Sequence, residues 1–292
     1  MGLAVQGVLQ SDKSRWDLVK MADNLAAISV ARMLHEQELF YFSSRTLADL
    51  LGRDLSQIYP LVRQLVRAGL VAEIENGKYL LLGFEPERVL ANPLFIGSHL
   101  ITPGYVSYWS ALHTYGFTEQ VPLTVYVATT KKKPPVEYAG QRFRFVTIHP
   151  RKFFGYRQEQ VGGLPVLIAD EAKALIDSLS EPEYAGGVTE VAKALRTAIE
   201  TVALETLVEY ANRLGDKTLG SRLGYLLGLL GCAVAPCDAA PAPTDGLGMP
   251  QLIRSTSSVK LDPGRPGQGQ RDARWRIDIN VPLEELREEG IG

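Results

Sequence analysis

YVSYWSALHTYGFTEQVPLTVYVATTKKK, from Tyr105 to Lys133, carries two periodicities in succession. Tyr105, Tyr108, Trp109, Leu112 and Tyr115 recur at spacings of three and four, which predicts a helix with one aromatic face. Gly116 can end that helix in the left-handed conformation. Val121, Leu123, Val125 and Val127 then alternate with Pro122, Thr124, Tyr126 and Ala128, the period of a strand. Three lysines, Lys131 to Lys133, close the segment. A helix and a strand in direct succession, with no catalytic side-chain pattern between them, predict an α+β domain.

Upstream the pattern changes. Helical spacing starts near Trp16, with Leu18, Met21, Leu25 and Ile28 on one side. Ser44 is placed to cap a short helix, Arg45 to Leu51, that Gly52 stops. A second helix, Ser56 to Ala68, ends at Gly69, and Leu55, Ile58, Val62 and Leu65 form its core face. Pro60 falls near the first turn, where a missing N–H costs least; further in, it kinks the helix. Leu70 to Leu82 reads as a hairpin because Asn76-Gly77 suits a turn with positive φ at both central residues. Helix, helix–turn–helix, hairpin is the order of a winged helix-turn-helix over residues 16–85. Pro86, Pro93 and Pro103 predict an irregular linker over 86–104.

Downstream, an α+β domain is expected over 105–292. Arg142 to Ile148 alternates as a strand, with Phe143, Phe145 and Thr147 on one side and Arg142 and Arg144 on the other. Thr189 to Leu230 is helical with a break at Gly215-Asp216. The Ala-, Pro- and Gly-rich stretch 232–250 reads as a flexible linker. Pro263 to Gly269 is a loop, and Trp275 to Val281 a closing strand.

The chain has 292 residues and a formal net charge of −2. The charge is unevenly placed: residues 1–85 carry net −1, 86–165 net +5 and 166–292 net −6. Lys131 to Arg157 holds eight basic residues against one acid, Glu137. Such a stretch attracts phosphate, or is simply a solvated loop. No apolar run long enough to span a membrane and no signal-peptide pattern occur, so a cytoplasmic chain without a membrane partner is expected. Cys232 and Cys237 have no second pair at metal-ligand spacing, which leaves two free thiols.

Enzyme signatures fail. Leu39 stands where the His35-Glu36 pair would need the second histidine of a zinc protease. Asp170-Glu171-Ala172-Lys173 resembles nuclease acids with a lysine, but Ala172, Leu175, Ile176 and Leu179 continue at helical spacing, so Asp170 reads as a cap. The glycines at 264, 267 and 269 lack the strand-to-helix context of a phosphate cradle. His99, His113 and His149 stand singly. No catalytic residue, metal site or cofactor is expected.

Binding residues are more legible. On the second helix of the pair, Ser56, Gln57, Tyr59, Arg63, Gln64 and Arg67 lie opposite the core face. Arg and Gln read base edges; Ser and Tyr hold phosphates. Arg45 and Lys78 are candidate backbone contacts. Glu73 and Glu75 in the hairpin oppose DNA binding and leave protein docking open. The candidate basic surface is Lys131, Lys132, Lys133, Arg142 and Arg144, for DNA, RNA or an acidic protein. In RLGYLLGLL (222–230), Leu223, Leu226, Leu227 and Leu230 share a packing face, leaving Arg222 and Tyr225 as polar members facing a groove.

The order of several motifs resembles a known family. They are SYWSAL (Ser107 to Leu112), His113, Tyr115-Gly116, TEQVP (Thr118 to Pro122), VYVATT (Val125 to Thr130), Gly186-Gly187, RLGYLL (Arg222 to Leu227), Arg274-Trp275 and Asn280. Over roughly residues 20–282 the chain is similar to the antitoxins of AbiE-type abortive-infection systems, type IV toxin–antitoxin pairs described as predicted transcriptional regulators of viral defence. The resemblance implies a non-enzymatic antitoxin that represses its own operon at inverted repeats in promoter DNA. It also implies a nucleotidyltransferase-like toxin as functional partner, with no stable complex required. Gly97-Ser98 is not followed by Asp-x-Asp, so this chain does not resemble the toxin. A stand-alone regulator of a defence locus, or a protein- or RNA-binding module, remains as the alternative.

Overall fold

In the computed structural model, which describes residues 25–239, 249–267 and 269–287, Tyr105 lies in a strand. Contacts divide the chain between Leu100 and Ile101 into two units, with mixed α and β structure.

Among the described residues of the first unit, helix α1 (residues 25–36) comes first and buries Ala27, Ala31 and Leu34. The expected face is displaced: Leu25 is 60% exposed and Ile28 half-buried, while Trp16, Leu18 and Met21 lie outside the described residues. Strand β1 (Tyr41–Ser43) leads into α2 (Ser44–Leu51). The cap is Ser43 rather than Ser44: its Oγ accepts from the Thr46 N–H at 3.0 Å, and Ser44 is buried one residue inside. Gly52 ends α2 at φ 60°.

Helix α3 (Leu55–Arg67) buries Ile58, Leu61, Val62 and Leu65, with Leu55 half-buried. Pro60 sits in its second turn, and the helix continues through it although the Ser56 carbonyl loses its usual N–H partner there. Strands β2 (Val71–Glu75) and β3 (Lys78–Leu81) form the expected hairpin, in a sheet ordered β1-β3-β2. Its turn differs from expectation. Gly77 takes φ 68° while Asn76 does not turn left-handed, and the register shifts between Glu73 and Glu75. That bulge does the work of the second positive φ.

Residues 86–104 are not an irregular linker. Helices α4 (Pro86–Leu90) and α5 (Pro93–His99) occupy most of them. Pro86 and Pro93 open these helices, at positions whose N–H would have no intrahelical acceptor. Asn92 caps α5 by accepting from the Phe95 N–H at 3.0 Å.

The second unit holds a six-stranded sheet, ordered β6-β7-β5-β4-β9-β8. Its strands are β4 (Gly104–Val106), β5 (Thr124–Thr129), β6 (Val136–Tyr138), β7 (Gln141–Thr147), β8 (Tyr156–Val161) and β9 (Leu164–Ala169). β4 runs antiparallel to β5 and parallel to β9, and β5 is parallel to β7. The register puts Val106, Val127 and Phe145 in one row across β4, β5 and β7. Tyr126 pairs with Arg144, and Thr124 with Arg142, on the opposite face.

Helix α6 (Tyr108–Thr114) follows β4 after one residue. It shares the line of the strand: Ser110 Oγ accepts from the Tyr126 N–H at 3.0 Å and donates to the Thr124 carbonyl at 3.3 Å. Tyr108, buried, makes the corner at φ 55°. Gly116 turns left-handed at φ 70°, as expected. β5 begins only at Thr124; Val121 and Leu123, expected within it, are 72% and 87% exposed.

Helix α7 (Glu171–Ser180) packs against α6, α8 (Val188–Ala198), α9 (Leu204–Leu214) and α10 (Lys217–Leu229). The chain breaks before α9 as well as at the expected Gly215-Asp216. Asp170 caps α7, accepting from the Lys173 N–H at 2.8 Å. The remaining strands form two small sheets. β10 (Ala235–Cys237), inside the expected linker, runs parallel to β11 (Gln251–Ile253). β12 (Val259–Lys260) and β13 (Gln270–Asp272) flank β14 (Ile277–Ile279), inside the expected closing strand, and α11 (Leu283–Arg287) follows. Helix α10 admits these sheets through glycine. A Cβ on Gly220 would lie 1.8 Å from the Ile253 carbonyl oxygen, and one on Gly224 2.4 Å from the Trp275 ring.

Candidate nucleic-acid interface

In the first unit, α3 buries one side, and the candidates occupy the other. Ser56, Gln57, Tyr59, Arg63 and Arg67 are exposed and Gln64 is half-buried. Arg63 folds back, its Nε donating to the Tyr59 carbonyl at 3.3 Å, and its exposed guanidinium keeps donors for a ligand. Arg45 is exposed on α2. Lys78 is half-buried in the hairpin and paired with Glu75 at 3.3 Å. Glu75 also accepts from the Tyr41 hydroxyl, whose pKa burial, then Glu75, raise.

The five basic candidates of the second unit do not form one patch. Lys131 donates its ammonium to the Thr102 carbonyl at 2.6 Å. Lys133 holds its ammonium 5.2 Å above the Phe145 ring. Arg142 and Arg144 project from the other face of β7, since neighbouring residues of a strand alternate. Arg142 is paired with Glu137 at 2.9 Å, both largely exposed, so the pair contributes little. Arg144 lies 4.7 Å above the Tyr184 ring, which stands 5.7 Å from Tyr126 and 5.4 Å from Tyr108. Beside this row, Leu123, Thr124, Tyr138 and Arg142 help line an open cleft of 490 Å³.

Sequence reasoning missed Tyr184, which reaches the sheet from the 3-10 turn Pro182–Tyr184, far along the chain from β5. It also missed a buried ionic cluster. Lys173 is fully buried and paired with Asp177, and its ammonium lies 4.9 Å from the Phe154 ring and 5.7 Å from the Tyr105 ring. Asp177 Oδ2 accepts from Ser107 at 2.8 Å and Tyr105 at 3.1 Å. Burial, followed by the Asp177 charge, pushes the Tyr105 phenol well above its usual pKa. The cluster ties β4 to α7. A charged pair this enclosed is a structural tie, because neither group meets solvent.

Arg222 and Tyr225 are not groove residues: both are buried. Arg222 Nε donates to the Lys260 carbonyl at 3.2 Å. Burial lowers its pKa against the opposing pull of Asp216, Asp262 and Glu181. Cys232 and Cys237 are free and half-buried. No group of three metal-ligating side chains and no helix long and apolar enough to cross a membrane occur among the described residues.

No protein-family model matches the chain, and no curated protein matches it. A solved structure does: the RV2827C protein from Mycobacterium tuberculosis, with a TM-score of 0.51 at 13% identity, covering 90% of this chain and 94% of that one. At that identity the likeness concerns the fold alone.

Proposed function

We propose that the chain is the antitoxin of an AbiE-like toxin–antitoxin system and represses its own operon by binding promoter DNA. On this reading α2, α3 and the β2–β3 hairpin act as a winged helix-turn-helix, with α3 in the major groove and the hairpin at the phosphates. The observation that carries it is the division of α3: four core residues on one side, and Ser56, Gln57, Tyr59, Arg63 and Arg67 exposed on the other. The second unit is the antitoxin domain, and its functional counterpart is a nucleotidyltransferase-like toxin.

The test is a gel shift with the chain's own promoter. Binding is expected to fall steeply with salt, and Arg63→Ala to lower affinity by about 1–3 kcal/mol, the discrimination of one base contact. Absence of promoter binding at low salt refutes the DNA reading. Co-expression with the neighbouring gene product, scored by growth, tests the antitoxin reading separately.

A second reading has its own observation. Lys78 is paired with Glu75, and residues 1–85 carry net −1, an electrostatic balance that favours protein docking over phosphate. It predicts a promoter shift no stronger than that with unrelated DNA.

A further inference from the structure

We propose that the face formed by β5 and β7 in the second unit binds a single-stranded nucleic acid, with one unstacked base in the cleft beside Arg142. Two adjacent rungs of the sheet carry the argument. In one rung Tyr126 stands opposite Arg144; in the next Thr124 stands opposite Arg142. The guanidinium of Arg144 lies on the Tyr184 ring at 4.7 Å and is exposed, so its outer face is open to stack a base. The second rung lines the 490 Å³ cleft, a volume within the range of small-ligand sites.

The spacing selects a single strand. Successive rungs on one face are separated by two residues, about 7 Å. A stacked strand rises about 3.4 Å per base. Bases held at consecutive rungs are therefore pulled apart, which a duplex resists and a splayed strand accepts. Among the described residues lining the cleft the one carboxylate, Glu137, is already paired with Arg142, so the cleft does not repel a phosphate chain. The exposed Leu123, at the cleft's rim, gives a base an apolar edge. RNA and DNA share the bases and phosphates invoked here, and matched oligonucleotides distinguish them.

This site is independent of α3, so it can fail without affecting the promoter reading. The full chain is titrated into labelled single strands of about eight nucleotides, as RNA and as DNA, and into the corresponding duplexes. Fluorescence anisotropy is expected to show tighter binding to a single strand than to its duplex. Arg144→Lys, which keeps the charge and loses the stacking plane, is expected to weaken it about 5- to 150-fold, the range of one base stacked on a side chain. Leu123→Asp is expected to weaken it as well. Absence of single-strand binding at low salt overturns the proposal, as an acidic protein partner for this face would require. Binding equal for duplex and single strand, or Arg144→Lys equal to the parent, also overturns it.

Discussion

Replacing Asp177 with Asn removes one charge and little volume from the buried cluster that joins β4 to α7. The carboxamide can still accept from Tyr105 and Ser107, now 3.1 and 2.8 Å from Oδ2. The loss falls on Lys173, which is fully buried and has Asp177 as its ion-pair partner. Breaking one side of a buried pair costs about 3–5 kcal/mol, because the remaining charge stays desolvated without its counter-ion. For a unit of this size each kcal/mol moves the melting temperature by about 2–4 °C, so Asp177→Asn should lower it by about 6–20 °C. Two of the three tryptophans, Trp109 and Trp275, belong to the second unit, so urea unfolding followed by tryptophan fluorescence in a Trp16→Phe background reports on it. The double variant Lys173→Met with Asp177→Asn removes the orphaned charge and keeps both hydroxyl contacts; it should recover most of the loss. A loss below about 1 kcal/mol for the single variant, or a double variant no more stable than the single, refutes the account.

The glycines of α10 offer a contrast within one helix. Gly224→Ala, which drives a Cβ into the Trp275 ring, and Gly220→Ala, which drives one into the Ile253 carbonyl, should each destabilise by about 1–3 kcal/mol or more in thermal melts. Gly228→Ala meets nothing within 4 Å and should be neutral or stabilise by up to about 1 kcal/mol. His99 predicts a pH dependence for the first unit. Burial lowers its pKa below 6.5, opposed by its bond to the Phe95 carbonyl and by Glu38. The folded form therefore binds fewer protons than the unfolded form. Stability is complete above about pH 6.5 and is lost as pH falls through the lower folded pKa; His99→Gln should flatten that loss in urea titrations at pH 5 to 7.

Most helices were legible because amphipathic spacing and stop signals agree, as at Gly52, Gly116 and Gly215. Short buried elements were not. Only Ser107 separates the three residues of β4 from α6, and Tyr105 falls three positions before Tyr108, so a strand residue mimics helical spacing. Alternation also overran β5 at its start. Val121 and Leu123 keep the period, but the pairing with β7 begins at Thr124, opposite Arg142. The sequence pattern puts the cap of α2 one residue late, at Ser44, because two serines adjoin there; the bond from the Thr46 N–H to the Ser43 hydroxyl selects Ser43. In the candidate sites, the exposed side of α3 followed from its periodicity. The separation of Lys133 from Arg144 did not, because it depends on which face of the sheet each chain segment reaches. Lys173 and Asp177, four apart on a helix, have the spacing of an ordinary solvent-facing pair; their burial comes from aromatic neighbours distant in sequence.

Ser110 has a consequence for how this domain can vary. Its hydroxyl stands in for a neighbouring strand, giving and receiving one backbone hydrogen bond at Thr124 and Tyr126. Rotating α6 by one residue would withdraw that hydroxyl, and sliding β5 by one would present it with the wrong groups. The phase of a helix and the register of a strand are thus keyed to each other through a single side chain. Alanine would leave both backbone groups without that partner, so drift in either element requires a compensating change in the other.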